Sequence, residues 1–461
     1  MNKPTSTTSS LYPCTDKSFY IENLGCAKNQ VDAELIIASL ESSGWSYLPD
    51  PKIAELIIVN TCGFIDAAKE ESIQTIFSLR QQYPDKKIVI AGCLSQRYGT
   101  SLKGLLPEVN GIFGNRAPWK IKEIIGENSI ESAFFPPPVP DEEKGIPLRK
   151  TLLSFPGSAY VKISEGCNNF CSYCSIPRIR GTLRSRTVES VLEEIKRLIS
   201  DGIFEINLIA QDLGSFGTDR GIAELSLLLN SISDLEGDFW IRLLYIHPDH
   251  FPLEILDICR RDKRILPYFD LPFQHASKKV LTRMNRKGDV ETYLKLIEKI
   301  RNSLPDAIIR STFLVGFPGE GKKDFESLLS FQEKAQIDWL GVFTYSREES
   351  TPAYRYRGGI AHRFYHPVAV KRKELLEKKQ CAITIKRLKR FLGKRLRVLI
   401  EEEIEGEKLY LGRAYIHAPD VDGLIVAQTP EKVKLTPGTL IECMVRNVRG
   451  VDLIADTLFM K

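Results

Sequence analysis

The chain has 461 residues, 43% of them hydrophobic and 27% charged, an ordinary balance for a soluble globular protein with room for two or three domains. A formal net charge of +5 is too small over this length to argue for nucleic acid by itself, and no run approaches the roughly 18 to 20 apolar residues a membrane span needs. Ten cysteines follow a polar, Ser/Thr-rich start (Met1 to Ser10) without the apolar core of a secretion signal. That combination points to the cytoplasm, a reducing compartment where cysteine serves as ligand or catalyst rather than as staple.

The first third alternates strand and helix patterns. Strands are expected at Ser18 to Leu24, Leu56 to Val59 and Lys87 to Ala91, with helices at Gln30 to Ser42 and Phe64 to Leu79, which reads as a small parallel α/β domain over 17–130. Each strand ends at a cysteine: Cys26, Cys62 and Cys93. The carboxyl ends of strands form the ligand crevice of an open α/β sheet, so these three thiols could converge although some 30 residues separate them. A proline-dense, charged stretch beginning Phe135-Pro-Pro-Pro-Val-Pro-Asp-Glu-Glu-Lys is expected to act as a stiff linker over 131–152.

Six strand-like runs follow: Ala159 to Ile163, Ile206 to Ala210, Phe239 to Ile246, Tyr268 to Phe273, Ala307 to Val315 and Trp339 to Tyr345. Helical segments such as Val188 to Leu198 and Thr292 to Asn302 fall between them. Six βα units suit an incomplete barrel over 153–390, with its chemistry at the carboxyl-end mouth. Just past the first run stand Cys167, Cys171 and Cys174, in the spacing C-x3-C-x2-C. Three thiolates this close can hold three irons of one iron-sulfur cluster, and the missing fourth leaves one iron open to an outside ligand. Zinc sites show two C-x2-C pairs or added histidines, and the chain has only six His.

From Lys371 to Arg390 a helical pattern carries nine Lys/Arg against two Glu, read as a solvated helix face. Five short β-like runs then follow in 391–461 (Arg397 to Ile400, Leu409 to Arg413, Gly423 to Ala427, Leu440 to Val445 and Val451 to Asp456), the pattern of a small β-barrel. Between Lys394 and Lys461 stand ten Lys/Arg and eleven Asp/Glu, without the basic footprint of an RNA grip.

With these constellations in hand, the chain resembles the methylthiotransferases of the radical S-adenosylmethionine (SAM) group. The resemblance runs through Leu24-Gly-Cys-Ala-Lys-Asn, Asn60-Thr-Cys-Gly-Phe, Ala91-Gly-Cys, and Glu165-Gly-Cys-Asn-Asn-Phe-Cys-Ser-Tyr-Cys-Ser-Ile-Pro with Arg180-Gly. It continues through Asp270-Leu-Pro-Phe-Gln-His-Ala-Ser, Arg283-Met-Asn-Arg, Val315-Gly-Phe-Pro-Gly-Glu and Phe343-Thr-Tyr-Ser-Arg-Glu. It implies an N-terminal cysteine domain, a partial (βα)6 radical-SAM barrel and a C-terminal TRAM barrel. Leu208-Ile-Ala-Gln-Asp and Gly412-Arg-Ala-Tyr-Ile-His-Ala-Pro-Asp-Val-Asp-Gly are similar to the RimO type, which modifies an aspartate of the twelfth small-subunit ribosomal protein. The alternative is the MiaB type, which modifies an adenosine beside the tRNA anticodon.

The resemblance implies two 4Fe-4S clusters, on Cys167, Cys171 and Cys174 and on Cys26, Cys62 and Cys93. The first binds SAM and cleaves it to a 5′-deoxyadenosyl radical that abstracts hydrogen from the target β-carbon; the second holds the sulfur to be inserted. Both must serve one cavity, because a carbon radical has to meet sulfur before side reactions intervene. Glu205 takes the amino group of the cofactor by position in the family pattern, with a surface strand-start glutamate as the alternative. Gln211 and Asp212 fall at the mouth end of the second strand, and Gln274 and His275 follow the fourth. Gly316 could let backbone approach the cofactor, and Arg347 is a candidate contact near the adenosine or substrate. Partners implied are the ribosomal protein or the subunit carrying it and an electron donor such as flavodoxin, with no membrane and a monomeric enzyme. Cys14, Cys259, Cys381 and Cys443 are read as buried or incidental thiols.

Overall fold

The computed structural model describes residues 17–99, 101–126, 129–137, 146–430 and 433–458; Cys14 lies outside them. The chain divides into two compact units, one ending at Thr151 and the other carrying everything from Leu152 onward. Among the described residues no helix is long and apolar enough to cross a membrane.

The first unit is built on five parallel strands, β1 (Ser18–Asn23), β2 (Ser46–Tyr47), β3 (Leu56–Thr61), β4 (Lys87–Gly92) and β5 (Gly111–Ile112), in the order β2-β1-β3-β4-β5. Every residue of β3 is buried, as expected of a central strand covered on both faces. Ile57, Val59, Ile88 and Ile90 pack against Ile76 and Leu79 of helix Asp66–Gln82. The strands that carry Cys26, Cys62 and Cys93 are therefore three consecutive neighbours, in register from Asn23 to Asn60 and from Asn60 to Ala91.

The described ends of the stretch 131–152, expected as a stiff linker, are bonded to the first unit. Phe134 pairs with Phe113 beside β5, through Phe134 N donating to the Ile112 carbonyl (2.9 Å) and Gly114 N to the Phe134 carbonyl (2.9 Å). Arg149 is buried in an ion pair with Glu34 of helix Ala27–Glu41. Hydrogen-bonded and charged partners thus hold both ends of the proline-rich stretch to the first unit, while 138–145 lie outside the described residues.

In the second unit six parallel strands form an open sheet in the order β13-β12-β11-β10-β9-β6: β6 (Ser158–Lys162), β9 (Glu205–Ile209), β10 (Trp240–Leu244), β11 (Ile265–Asp270), β12 (Ile308–Val315) and β13 (Trp339–Thr344). Between β6 and β9 comes a small antiparallel pair, β7 (Ser164–Glu165) with β8 (Arg184–Ser185). Inner residues such as Ile206, Leu208, Ile241, Phe269 and Phe313 join one apolar core with the surrounding helices. Helix Val188–Ser200 starts at Thr187, whose hydroxyl accepts from Ser190 N (3.2 Å), and helix Val290–Ser303 at Asp289, which accepts from Thr292 N (2.9 Å); both are ordinary N-caps.

The basic helix is longer than its sequence pattern suggests. It runs Gly359–Leu388 with Pro367 inside it, on an exposed part of the helix where the ring costs one i→i−4 hydrogen bond without ending the helix. Its buried face meets the barrel through Thr384 Oγ1 to the Asp338 carbonyl (2.7 Å) and Arg387 Nε to Asp338 Oδ1 (2.8 Å).

The last five strands, β14 (Arg395–Glu403), β15 (Leu409–Arg413), β16 (Ile425–Gln428), β17 (Leu440–Arg449) and β18 (Asp452–Thr457), close into a barrel in the order β14-β15-β16-β18-β17. It packs on the amino-end side of the parallel sheet. Trp339 Nε1 donates to the Ile416 carbonyl (2.8 Å), Tyr268 Oη to Asp422 (2.5 Å) and Arg242 Nη1 to the Tyr415 carbonyl (2.7 Å).

Candidate functional site

In the first unit Cys26 is the N-cap of helix Ala27–Glu41, Cys62 directly follows β3, and Cys93 opens the short helix Cys93–Tyr98. Two glycines show how closely the three turns approach. A Cβ on Gly25 would lie 3.1 Å from the Cys62 Cβ, and one on Gly63 would lie 2.7 Å from Leu94 N and 2.9 Å from the Cys93 carbonyl carbon. Asn29 ties the turns together: its Nδ2 donates to the Leu24 (2.9 Å) and Thr61 (3.0 Å) carbonyls, while its Oδ1 lies 3.3 Å from Cys93 Sγ. Asn115 Nδ2 donates to the same sulfur at 3.4 Å. Burial grades from exposed Cys26 through half-buried Cys62 to buried Cys93, so the trio presents an edge to solvent.

In the second unit the β7–β8 pair holds the loop 166–183 at the carboxyl end of β6. Cys167 N donates to the Gly181 carbonyl (3.2 Å), and Leu183 N to Asn168 Oδ1 (3.0 Å). Gly166 has φ +75°, and a Cβ there would sit 2.0 Å from the Thr182 carbonyl oxygen, so only glycine allows the two strands to close at that point. Gly166→Ala is expected to cost about 1–3 kcal/mol in backbone strain and to lower iron uptake at this loop, checked by thermal melting and iron analysis.

Cys167, Cys171 and Cys174 are half-buried. Burial pushes the Cys167 thiol up to about 11, opposed by the Asn169 backbone N–H, and also raises Cys174. A cavity of about 800 Å³ opens onto Cys171 and Cys174, walled by Phe170, Arg178, Tyr354 and Arg355, within the size range of small-molecule sites. Among the described residues no trio of His, Cys, Asp or Glu stands close enough to grip a single ion. A four-iron cluster spreads its irons over separate thiolates, and three cysteines on one loop, two of them facing a cavity, fit such a group.

Beside the loop, Glu165 is held well below the usual carboxylate range: burial alone would raise it, but Arg180 and Lys162 outweigh that. Gln211 Nε2 donates to Glu165 Oε1 (3.3 Å), leaving its own Oε1 buried with no hydrogen-bond partner among the described residues. Asp212 accepts from Asn169 Nδ2 (3.0 Å) and Ser215 Oγ (2.6 Å) and pairs with His250 Nδ1 (2.7 Å), which ties the cysteine loop to the ends of β9 and β10. Gln274 lies beyond β11 with φ +66°, its backbone bonded to Thr312 and Leu314. His275 is wholly buried, and burial pushes its pKa down to about 3. Arg347 Nε donates to the Tyr354 (3.1 Å) and Arg357 (2.9 Å) carbonyls and lies over the Tyr354 ring; it shapes the wall of the cavity.

Two sequence-based assignments change. Glu205 is the first residue of β9, in register with Ser158 and Trp240 at the amino ends of their strands, opposite the mouth. It is fully buried and spoken for by Arg242 Nη2 (2.8 Å), Arg413 Nη2 (2.6 Å) and Ser158 Oγ (2.9 Å). Gly316 has φ +79° and a site for Cβ only 2.4 Å from the Ala369 methyl, so its close approach is to the long helix. Its N–H is taken by Glu320 (2.5 Å). Cys259 and Cys443 are buried and Cys381 is exposed on the long helix.

Residues 18–114 match the family described as Uncharacterized protein family UPF0004, residues 161–331 the Radical SAM superfamily, and residues 392–458 the TRAM domain. The ribosomal protein uS12 methylthiotransferase RimO of Treponema denticola is 43% identical, with 94% of this chain and 98% of that protein covered. The proteins of the same description from Aquifex aeolicus (40% identical, 94% and 95% covered) and Carboxydothermus hydrogenoformans (39%, 94% and 98%) are also similar. Among solved structures, the radical S-adenosylmethionine methyltransferase TsrM from Kitasatospora setae shares the fold, with a TM-score of 0.53 at 15% identity over 73% of this chain and 76% of that one.

Proposed function

The chain belongs to the RimO family of radical-SAM methylthiotransferases, and on that premise we propose that it adds a methylthio group to the β-carbon of an aspartate in uS12, the twelfth protein of the small ribosomal subunit. The observation that carries this reading is the 43% identity to a uS12 methylthiotransferase along 98% of that protein's length, joined to two separate three-cysteine sites. Cys167, Cys171 and Cys174 would hold one 4Fe-4S cluster with SAM at its open iron, and Cys26, Cys62 and Cys93 would hold the other. When bound, these groups supply reductive cleavage of the SAM sulfonium and the sulfur to be inserted.

The protein's own residues set the conditions. Asn29 and Asn115 orient Cys93, the Asn169 N–H turns toward Cys167 Sγ (3.5 Å), and the paired strands below Gly166 fix the loop. Gln211 offers its unpartnered Oε1 to the cofactor, Gln274 stands near the same mouth, and Arg347 holds the cavity wall. For the target, the TRAM barrel exposes Glu402, Glu405 and Glu407, whereas Glu401 turns inward to Arg413 Nε (2.6 Å). Exposed acids suit a basic ribosomal protein better than an RNA backbone, which favours uS12 over the tRNA target of the MiaB type. The enzyme is taken to act in the cytoplasm as a monomer, drawing electrons from a donor such as flavodoxin.

Mass spectrometry of uS12 and of anticodon-loop nucleosides, from cells with and without the gene, tests the assignment. The expected result is loss of the methylthio mass from uS12 alone. Loss from the tRNA with uS12 unchanged would overturn it.

A further inference from the structure

Arg283-Met284-Asn285-Arg286, which starts at the last residue of helix Lys278–Arg283, grips the cysteine loop directly. Ser172 donates its N–H to the Met284 carbonyl (3.0 Å) and its hydroxyl to the Arg283 carbonyl (2.7 Å). Asn285 donates to the Asn169 (3.2 Å) and Phe170 (3.1 Å) carbonyls from a left-handed backbone, φ +60°, which asparagine tolerates.

The last residue of the segment is anomalous. Arg286 is 5% exposed, its Nη2 donates to the Pro272 carbonyl (2.8 Å), and its Nε is buried without a hydrogen-bond partner. The other buried arginines each meet a carboxylate: Arg149 with Glu34, Arg180 with Glu165, Arg242 and Arg413 with Glu205. Among the described residues none lies within ion-pair reach of Arg286. Its electrostatic neighbours are instead Tyr173, Cys171, Tyr293 and, more weakly, Asp249. An uncompensated buried cation is costly, and the nearby histidine His247 is kept neutral by burial. The segment that carries Arg286 is bonded to Asn169, Phe170 and Ser172 on either side of Cys171, so the balancing negative charge falls to the group that the cysteine loop would hold.

We propose that Arg286 is the counter-cation of the Cys167, Cys171 and Cys174 site, a positioning residue that raises the reduction potential of the cluster held there. The inference rests on the functional reading above. Adding an electron to a cluster ligated by three thiolates increases its negative charge, so a fixed cation in a water-poor setting favours the reduced form. Arg286 supplies that cation without occupying the open iron.

The test compares anaerobically reconstituted full-length wild type, Arg286→Met and Arg286→Lys. Iron and sulfide per chain are measured, together with a redox titration of the paramagnetic signal that added SAM perturbs, which marks the barrel cluster. At the wild-type midpoint, Arg286→Met is expected to hold about tenfold less of the reduced cluster relative to the oxidised one, a shift of about 59 mV to more negative potential. Arg286→Lys should stay near wild type, and the other cluster should not move. Iron uptake reduced in Arg286→Met but kept in Arg286→Lys would support the charge equally well. Unchanged potentials in Arg286→Met, or equal displacement or equal iron loss in both variants, would overturn the proposal, as would weakened SAM binding with unmoved potentials. A wild-type chain with no SAM-sensitive signal would overturn the functional reading as well.

Discussion

Cys174→Ala is expected to abolish 5′-deoxyadenosine release from SAM, down to the no-enzyme background, while leaving the first unit's cluster in place. Two thiolates cannot retain a four-iron cluster on the loop, and that loop is held by hydrogen bonds donated by Cys167 N and Ser172 and accepted by Asn168 Oδ1 that do not depend on the Cys174 sulfur, so the barrel keeps its shape. Iron should therefore fall from roughly eight to roughly four per chain. Cys62→Ala gives the same iron loss with the opposite functional split: SAM cleavage stays measurable and methylthio transfer is lost. Iron unchanged in either variant would defeat the two-cluster reading.

Glu205→Gln is expected to unfold the second unit at a markedly lower temperature without weakening SAM binding. The carboxylate lies between two buried guanidiniums, and burial, which alone would raise its pKa, is outweighed by Arg413 and Arg242 so that it stays ionised. Removing the anion leaves Arg242 without a carboxylate and Arg413 with Glu401 alone, a loss of about 3–5 kcal/mol and on the order of 10 °C in a domain of this size. Arg413→Met should cost less, because Arg242 continues to serve Glu205. Thermal melting ranks the variants, and equilibrium binding of SAM below the transition separates this role from the cofactor contact that its place in the family pattern suggests. Since the folded-state pKa is depressed, the stabilisation is present above the ordinary carboxylate range and is lost as pH falls below it.

The strands and the cysteines that follow them were legible because apolar runs of four to eight residues ending at cysteine carry their own signal: Leu56–Thr61 before Cys62 and Lys87–Gly92 before Cys93. The two-residue strands β2, β5, β7 and β8 are too short to show any period. Pro367 hid the first turns of the long helix, since proline ordinarily ends a helical pattern. Glu205 carried a cofactor role from the family pattern because such a pattern gives sequence position but not the side chains that the fold packs against it. Its partner Arg413 is 208 residues away, a separation no local reading can bridge. Arg286 stood inside a quoted motif, yet its lack of a carboxylate is visible only once the surrounding residues are in place.

The adjacency of β1, β3 and β4 carries a further consequence for how the protein matures. Hydrogen bonding between neighbouring strands fixes their separation at about 4.8 Å, so the sheet spaces Cys26, Cys62 and Cys93 before any iron arrives. Unlike a zinc finger, which is unfolded until metal organises it, the first unit has an apolar core of its own and is expected to fold before its cluster is in place. Iron starvation would then leave a pool of intact, inactive enzyme that can be rescued, rather than a pool of unfolded chains destined for proteolysis.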